Sequence, residues 1–402
     1  MNKKTIKDIN VNGKKVIVRV DYNVPLTSDL KVADNTRIER SLDTVKTLLD
    51  NGAAVILMSH LGRPKGKVDK SMSLKPVAEE LSKLINKDVT MLNDCIGEEV
   101  ENYIKSMKTG DICLLENLRF HKEEKNNDPE FAKKLASLAD IYVNDAFGTA
   151  HRAHASTEGI TKYLPAVAGF LMEKEITYLG STLENPEKPF TAIVGGAKVS
   201  TKIDVLKSLF SKAQNIIIGG AMSYTFFKAL GYSTGNSLVE KDYIDTAKKL
   251  IEDAKANNVE LILPVDNVII DKNVGDIIKD NSIKYEMKTS EEKDIPDGWT
   301  AVDIGDKSIE KIKAIINSSK TVIWNGPLGV YEVKDFAKGT NEVANILAYA
   351  DTTSIIGGGD VVAAVNECGV ADRMSHVSTG GGASLEMMEG KTLPGLAALN
   401  DK

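Results

Sequence analysis

Along the 402 residues, short runs of β-branched and aliphatic side chains alternate with amphipathic stretches of helical period. The first half carries the runs Val16–Val20, Ala54–Met58, Ile112–Leu115 and Ile141–Val143. The second carries Thr191–Val194, Asn215–Ile218, Leu261–Leu263, Thr321–Trp324 and Ser354–Ile356. Each run has few polar residues, as expected of strands covered on both faces in a parallel sheet. Between them, Ile38, Leu42, Val45, Leu48 and Leu49 share one face of a helix predicted to open after Asp34 and Asn35 and to stop at Gly52. Ile203, Leu206, Leu209 and Phe210 do the same after Ser200 and Thr201. Strand–helix alternation of this kind predicts an α/β chain of the doubly wound class.

The length suits two domains. A proline-rich break at Asn185–Pro189 follows a helical stretch that starts near Leu171, so a helical hinge is expected over 172–188. The first domain is predicted over 1–171 and the second over 189–389. The segment TLPGLAAL, in a tail of about 390–402, is a candidate to return to the first domain. The halves resemble each other in layout but show no sequence repeat.

Net charge is −6, which argues against a general nucleic-acid or membrane-binding role. No apolar run approaches the roughly 18 residues of a membrane helix. The three cysteines are widely spaced, as for reduced thiols of a cytoplasmic protein. No oligomerisation helix is evident, so a monomer is expected. Seven of the 51 basic residues are Arg, six of them at or before Arg152, and none lies between 153 and 372. Arginine forks bind phosphate and carboxylate, so their concentration in one half is informative.

In an open parallel sheet, ligands bind beyond the carboxyl ends of the strands. In the first half those ends read DYN (Asp21, Tyr22, Asn23), SHLGRP (containing His60, Leu61, Gly62 and Arg63), ENLRF (containing Arg119) and NDAFGTAHRAH (containing His151, Arg152 and His154). Arg37 opens the helix after the first strand. Together they form a predicted anion basket. The pair His151 and His154 lacks further ligands at metal spacing, which disfavours zinc.

The strand ends of the second half are glycine-rich: GGAKVSTK from Gly195, GGAM from Gly219, NGPLGVYE from Asn325, GGGD from Gly357 and, further on, STGGGAS from Ser378. Clustered glycines let a ligand approach the backbone and expose N–H groups to phosphates. Lys198 and Lys202 add positive charge, and Asp360 is the best candidate to hold Mg²⁺, which prefers a carboxylate together with substrate phosphates. Gly390-Lys391-Thr392 resembles the end of a P-loop, but Leu385 stands where that motif needs glycine. No dinucleotide fingerprint follows the first strand.

The segments VRVDYNVP, SHLGRP, ENLRF, NDAFGTAHRAHAST, GGAKVSTK, WNGPLGVYE, GGGD and STGGGASLE, in order from residue 18 to 386, resemble the signature segments of the phosphoglycerate kinase family. The resemblance implies two Rossmann-like domains closing over a cleft. It implies the reaction 1,3-bisphosphoglycerate + ADP ⇌ 3-phosphoglycerate + ATP, as part of glycolysis. Asp21, Tyr22, Asn23, Arg37, His60, Leu61, Gly62, Arg63, Arg119 and Arg152 would surround the phosphoglycerate. Gly195, Lys198, Lys202, Ala301, Asn325, Glu332, Gly358, Gly359, Asp360 and Val361 would surround the nucleotide, with Glu332 toward the ribose and Asp360 on Mg²⁺. Arg37 and Lys198 would stabilise the transferring group. Two departures stand out. Val361 replaces the family's usual hydroxyl residue, leaving only a backbone N–H for phosphate, and Ala301 places a methyl near the expected base pocket.

A carboxylate acceptor is already ionised at neutral pH, so this reading needs no general base, and phosphoryl transfer rests on positioning and charge. Two other readings compete with it. A nicotinamide-dependent dehydrogenase would need the missing fingerprint, and a nucleotide-gated binding protein without catalysis would bind without turnover.

Overall fold

The computed structural model describes residues 2–290 and 292–402. The chain divides into two compact units, Met1–Thr177 with Thr392–Lys402, and Tyr178–Lys391.

In the first unit the strands are β1 (Lys15–Val20), β2 (Ala54–Met58), β3 (Thr90–Met91), β4 (Ile112–Leu114), β5 (Ile141–Asp145) and β6 (Ala166–Ala168). They form one parallel sheet in the order β3-β4-β2-β1-β5-β6. Val16, Val18, Val55, Leu57, Leu114 and Val143 bury one sheet face against Ile38, Val45, Leu48, Val77 and Leu81 of the covering helices. Removing such side chains from water is worth about 1.5–3 kcal/mol each. The helix expected from Asp34 to Gly52 is broken at Arg40–Ser41 into Thr36–Glu39 and Leu42–Asp50, with Ile38, Val45 and Leu48 still facing inward. The chain leaves β1 and β5 toward opposite edges of the sheet, which opens a crevice between their carboxyl ends.

Residues 392–402 complete this unit. Lys4 N–H donates to Asn400 O at 2.8 Å, Asn400 N–H to Ala166 O at 2.9 Å, and Gly395 N–H to Ala150 O at 2.9 Å. Asn144 Nδ2 donates to Gly395 O at 3.1 Å.

The second unit contains β7 (Phe190–Val194), β8 (Asn215–Ile218), β9 (Glu260–Ile262), β10 (Asn267–Ile270), β11 (Met287–Ser290), β12 (Thr300–Ile304), β13 (Thr321–Asn325), β14 (Thr353–Gly357) and β15 (His376–Val377). Six of them build a parallel sheet in the order β15-β14-β13-β7-β8-β9. Here the connections diverge at β7 and β13. Sequence patterning did not anticipate the separate antiparallel sheet β11-β10-β12, inserted between β9 and β13 with its own small core of Ile270, Ile277, Val302 and Phe336. The fold is thus α/β, with a doubly wound parallel sheet in each unit and one antiparallel addition.

Helical backbone runs from Phe170 to Glu184, with a π-helical segment at Ile176–Ser181. The border between the units, at Thr177 and Tyr178, falls inside that segment. Asp145, at the end of β5, accepts from Leu171 N–H at 2.9 Å and Met172 N–H at 3.2 Å, anchoring the first turn of this helix.

Candidate active site

The rim of the first unit is organised from beneath by a buried arginine. Arg19 sits on β1, 1% exposed. Its Nε donates to Ser156 Oγ at 3.0 Å, its Nη1 to Val20 O, and its Nη2 lies 3.0 Å from His60 Nδ1. Ser156 Oγ in turn donates to Glu124 Oε1 at 2.6 Å, so the buried cation is matched to a buried carboxylate through one hydroxyl. Burial raises the Glu124 carboxyl, and Arg19 opposes that rise. Buried charges are tolerated only when paired and hydrogen-bonded in this way.

Burial, then the charges of Arg19 and Arg119, hold His60 well below its ordinary value, so its ring is neutral. A guanidinium can only donate, so His60 Nδ1 must accept and Nε2 must carry the proton. Burial and the same arginines bring His154 down to about 4.

Asn117 shapes the loop after β2. Its Oδ1 accepts from Leu61 N–H at 3.2 Å, and its Nδ2 donates to Leu61 O at 2.7 Å and Met72 O at 2.8 Å. Gly62 has φ +64, and a Cβ there would lie 2.7 Å from Met72 Sδ, so the turn requires glycine. Gly62 N–H donates to Asn23 Oδ1 at 2.8 Å, and Arg119 Nη1 donates to Gly62 O at 2.9 Å. Burial, Arg19 and Arg152 bring Arg119 to about 10, so it remains a cation at neutral pH. Arg37 Nη1 donates to Asp21 Oδ2 at 2.6 Å.

Arg63, Lys65, Arg119, Lys122, Lys125 and Arg152 line a cleft of about 700 Å³ whose lining contains no Asp or Glu among the described residues. The sequence-predicted Arg63, Arg119 and Arg152 therefore share one cleft. Gly62 and Asn23 join this rim through Arg119. Asp21 Oδ1 accepts from Asn23 N–H at 3.4 Å and so links the Arg37–Asp21 pair to it, and His60 is held beneath by Arg19. Two predicted positions turn inward. Tyr22 is fully buried, with its hydroxyl 2.8 Å from Ser41 Oγ, its N–H on Ser59 Oγ and its carbonyl accepting from Val24 N–H. Leu61 is buried too, and Asn117 takes both of its main-chain groups. Both side chains are therefore spent on the core, and a ligand would meet these two positions only through the main chain.

In the second unit, the glycines mark the divergence of β7 and β13. Gly195 N–H donates to Asn325 O at 2.8 Å and Gly196 N–H to Pro327 O at 3.1 Å. A Cβ on Gly195 would lie 2.1 Å from Pro327 O, so two backbones touch where a side chain has no room. Lys202 Nζ donates to Asn325 Oδ1 at 2.6 Å. Burial lowers Lys202 from its ordinary value, while Glu389 and Asp360 hold it up. Because lysine can only donate, that bond fixes the amide orientation and leaves Asn325 Nδ2 as a donor. Asn325 is 3% exposed, and its Nδ2 is buried without a hydrogen-bond partner among the described residues. That nitrogen faces Gly358, where an added Cβ would lie 3.2 Å away.

Gly358, with φ +90, caps the helix Gly359–Glu367, whose first-turn N–H groups have no helical acceptor. Asp360 is exposed in that turn. Val361 buries its side chain in the core, which leaves only its main chain toward the helix N-terminus. Ala301, on β12, is buried, and its N–H is spent on Ser237 Oγ at 2.9 Å. Lys198 and Glu332 are exposed.

Sequence reasoning missed the supports: Arg19, Asn117, Glu124 and Ser156 in the first unit. It also missed Asp303 in the second, whose Oδ2 accepts from Gly339 N–H at 2.7 Å and whose Oδ1 lies against Gly329. Only Arg19 carried a signal, as a charge inside an otherwise apolar strand.

A protein-family model described as Phosphoglycerate kinase matches residues 6–391. Phosphoglycerate kinase of Chlorobaculum tepidum is 54% identical, with all of both chains covered. Cytosolic phosphoglycerate kinase of Triticum aestivum is 55% identical over 99% of this chain and 98% of its own. The solved structure of phosphoglycerate kinase from Coxiella burnetii superposes with a TM-score of 0.89 at 40% identity, covering 98% of each chain. That from Pyrococcus horikoshii OT3 gives 0.83 at 31% identity with the same coverage. With sequence and structure matched along nearly the whole length, the chain belongs to the phosphoglycerate kinase family.

Proposed function

We propose that the cationic rim of the first unit holds the phosphoglycerate and the glycine-lined edge of the second holds the nucleotide. Family membership assigns the reaction: this chain is a phosphotransferase of glycolysis. It transfers a phosphoryl group reversibly between 1,3-bisphosphoglycerate and ADP, giving 3-phosphoglycerate and ATP.

Asn325 carries the assignment of the nucleotide edge. A buried donor without an acceptor costs about 1–3 kcal/mol, and a phosphate oxygen arriving at Gly358 would remove that cost. The free N–H groups of Gly359, Asp360 and Val361 add the donors of a helix N-terminus, which favours anions. Lys198 and Lys202 supply the charge, and Gly195 the close backbone approach. Glu332 is proposed for the ribose and Ala301 for the edge of the base pocket.

On the other rim, Arg63, Arg119, Arg152 and the Nε2–H of His60 bind the phosphate. Asn23 and the Gly62 turn hold the loop in place, and Asp21 orients Arg37. Arg37 and Lys198 stabilise the charge that develops on the transferring group. The accepting carboxylate is ionised at neutral pH, so no side chain has to remove a proton.

Mg²⁺ fits Asp360, an exposed carboxylate beside a turn of backbone donors. A hard ion of this size is commonly held by one or two carboxylates together with substrate phosphates. When bound, it would neutralise charge on the nucleotide phosphates.

We assign phosphoglycerate binding to residues 1–171 with the tail of about 390–402, and nucleotide binding to 189–389. Residues 172–188 serve as the hinge, since ligands on separate units must bring their reacting atoms to about 3–3.5 Å. The chain is further proposed to act as a monomer in the cytoplasm. No helix among the described residues is long and apolar enough to cross a membrane. A coupled assay with 3-phosphoglycerate, ATP and Mg²⁺ tests the proposal. ADP should form only when all three are present, and nucleotide hydrolysis independent of 3-phosphoglycerate would refute it.

A further inference from the structure

Asp94, Cys95 and His121 converge although 26 residues separate the first from the last. Among the described residues they are the one group of three or more His, Cys, Asp or Glu side chains whose ligand atoms all lie within 4.8 Å of one another. None of them is among the residues assigned to the phosphoglycerate, although His121 borders the same cleft. The three also resemble a nucleophile, a base and an orienting acid. However, Cys95 is fully buried, and burial with the nearby charges of Asp94 and Glu124 raises its thiol well above the ordinary value. A protonated thiol without access to solvent does not attack a substrate.

We propose that Asp94, Cys95 and His121 form a binding site for a thiophilic divalent cation of the zinc class, with a fourth position left to water. Zinc holds sulfur at about 2.3 Å and nitrogen or oxygen at about 2.0–2.2 Å, so ligand atoms around one ion lie less than about 4 Å apart. The three ligand atoms, all within 4.8 Å of one another, thus lie near that spacing, and the 2.7 Å His121–Asp94 hydrogen bond would open to admit the ion. The carboxylate and the thiolate together cancel the charge of the ion. Binding replaces the Cys95 S–H bond with a metal–sulfur bond and releases that proton to solvent, as metal–thiolate sites do.

The surroundings are already ordered. His121 Nε2 lies 2.7 Å from Asp94 Oδ1, and its ring sits 5.3 Å from that of Phe131. Asp94 Oδ1 accepts from Cys95 N–H at 2.6 Å, and Asp94 O accepts from Glu116 N–H at 3.3 Å. His121 also lines the 700 Å³ cleft, which gives an ion access from solvent. The cations of that cleft oppose a metal ion, and buried Glu124 offsets them from the Cys95 side.

The test is titration of the full chain with Co²⁺, then with Zn²⁺ in competition. Co²⁺ should bind at one equivalent with intense thiolate-to-cobalt absorption, and Zn²⁺ should displace it. Cys95→Ser should abolish that absorption, while His121→Gln and Asp94→Asn should each weaken binding by about tenfold or more. A wild-type chain without thiolate absorption would overturn the proposal, as would absorption that survives in Cys95→Ser. Should Cys95→Ser fail to fold, the two partly exposed positions decide the matter, and unchanged affinity in both would refute the site.

Discussion

Arg19 Nη2 lies 3.0 Å from His60 Nδ1, so a buried cation that touches no ligand decides which nitrogen of a rim histidine carries the proton. Nitrogen-15 NMR at neutral pH should show His60 as the neutral Nε2–H tautomer. Arg19→Met should remove that preference and leave Glu124 without its counter-charge. The variant is expected to lose about 3–5 kcal/mol in urea unfolding, the range for breaking a buried pair. An imidazolium signal from His60 at neutral pH would contradict the arrangement.

Arg37 is the rim arginine held by a carboxylate, 2.6 Å from Asp21, and its side chain is 45% exposed. Arg37→Ala should lower turnover by roughly 10²–10³-fold, as for loss of one charge-stabilising donor. Nucleotide affinity, read by titration calorimetry, should hardly change. Near-normal turnover would remove Arg37 from the mechanism.

On the nucleotide edge, Asn325→Ala deletes both the acceptor of Lys202 and the unpartnered donor near Gly358. Calorimetry should show weaker binding of ADP and ATP by about tenfold or more, equivalent to one or two hydrogen bonds to charged groups. Asp360→Asn should weaken the Mg²⁺–nucleotide complex while leaving 3-phosphoglycerate binding intact.

Burial raises Asp145 to about 7 against an ordinary 3.8, even though two N–H groups of the following helix donate to it. A raised carboxyl favours the folded state most below about pH 4, and the benefit is lost as pH climbs through about 7. The wild-type thermal midpoint should therefore fall relative to that of Asp145→Asn, which cannot ionise, between about pH 5 and about pH 8. The opposite trend of the buried neutral His60 and His154 is common to both proteins. Asp303, also raised to about 7 by burial, makes the same contribution in the second unit, so the fall relative to the double variant should be larger still.

Because the proposed ligands occupy separate units, small-angle scattering should record a smaller radius of gyration when 3-phosphoglycerate and nucleotide are both present than with either alone. Unchanged dimensions under saturating ligands would count against hinge closure.

Nine strands were legible as apolar runs, and the structure has a strand at each, shifted by a residue at several ends. Of the six described strands that were not anticipated, three lacked a signal, whereas β6, β10 and β12 are largely apolar and buried and were overlooked. β3 and β15 are two residues long, and β11 (Met287–Ser290) is largely exposed and reads MKTS, so neither length nor hydrophobicity marks them. Strand ends identified the charged and glycine-rich rims because the α/β architecture brings those positions together. Adjacency did not reveal that the side chains of Tyr22 and Leu61 turn into the core. The contacts that hold the rims in place, such as Asn117 across Leu61 and Ser156 between Arg19 and Glu124, join residues far apart in sequence. The unpartnered nitrogen of Asn325 required knowledge of what Lys202 does.

The backbone bonds from Asn400 to Lys4 and Ala166 have a consequence for synthesis. Residues 392–402 are translated after all of Tyr178–Lys391, so the lobe begun first is finished last. While the nascent polypeptide elongates, the border of β6 has Lys4 and Thr5 at Ala168 but still lacks Asn400 at Ala166, and the later lobe has all its residues before the earlier one does. Factors that shield exposed edges would find their target there, during the interval before the final segment emerges.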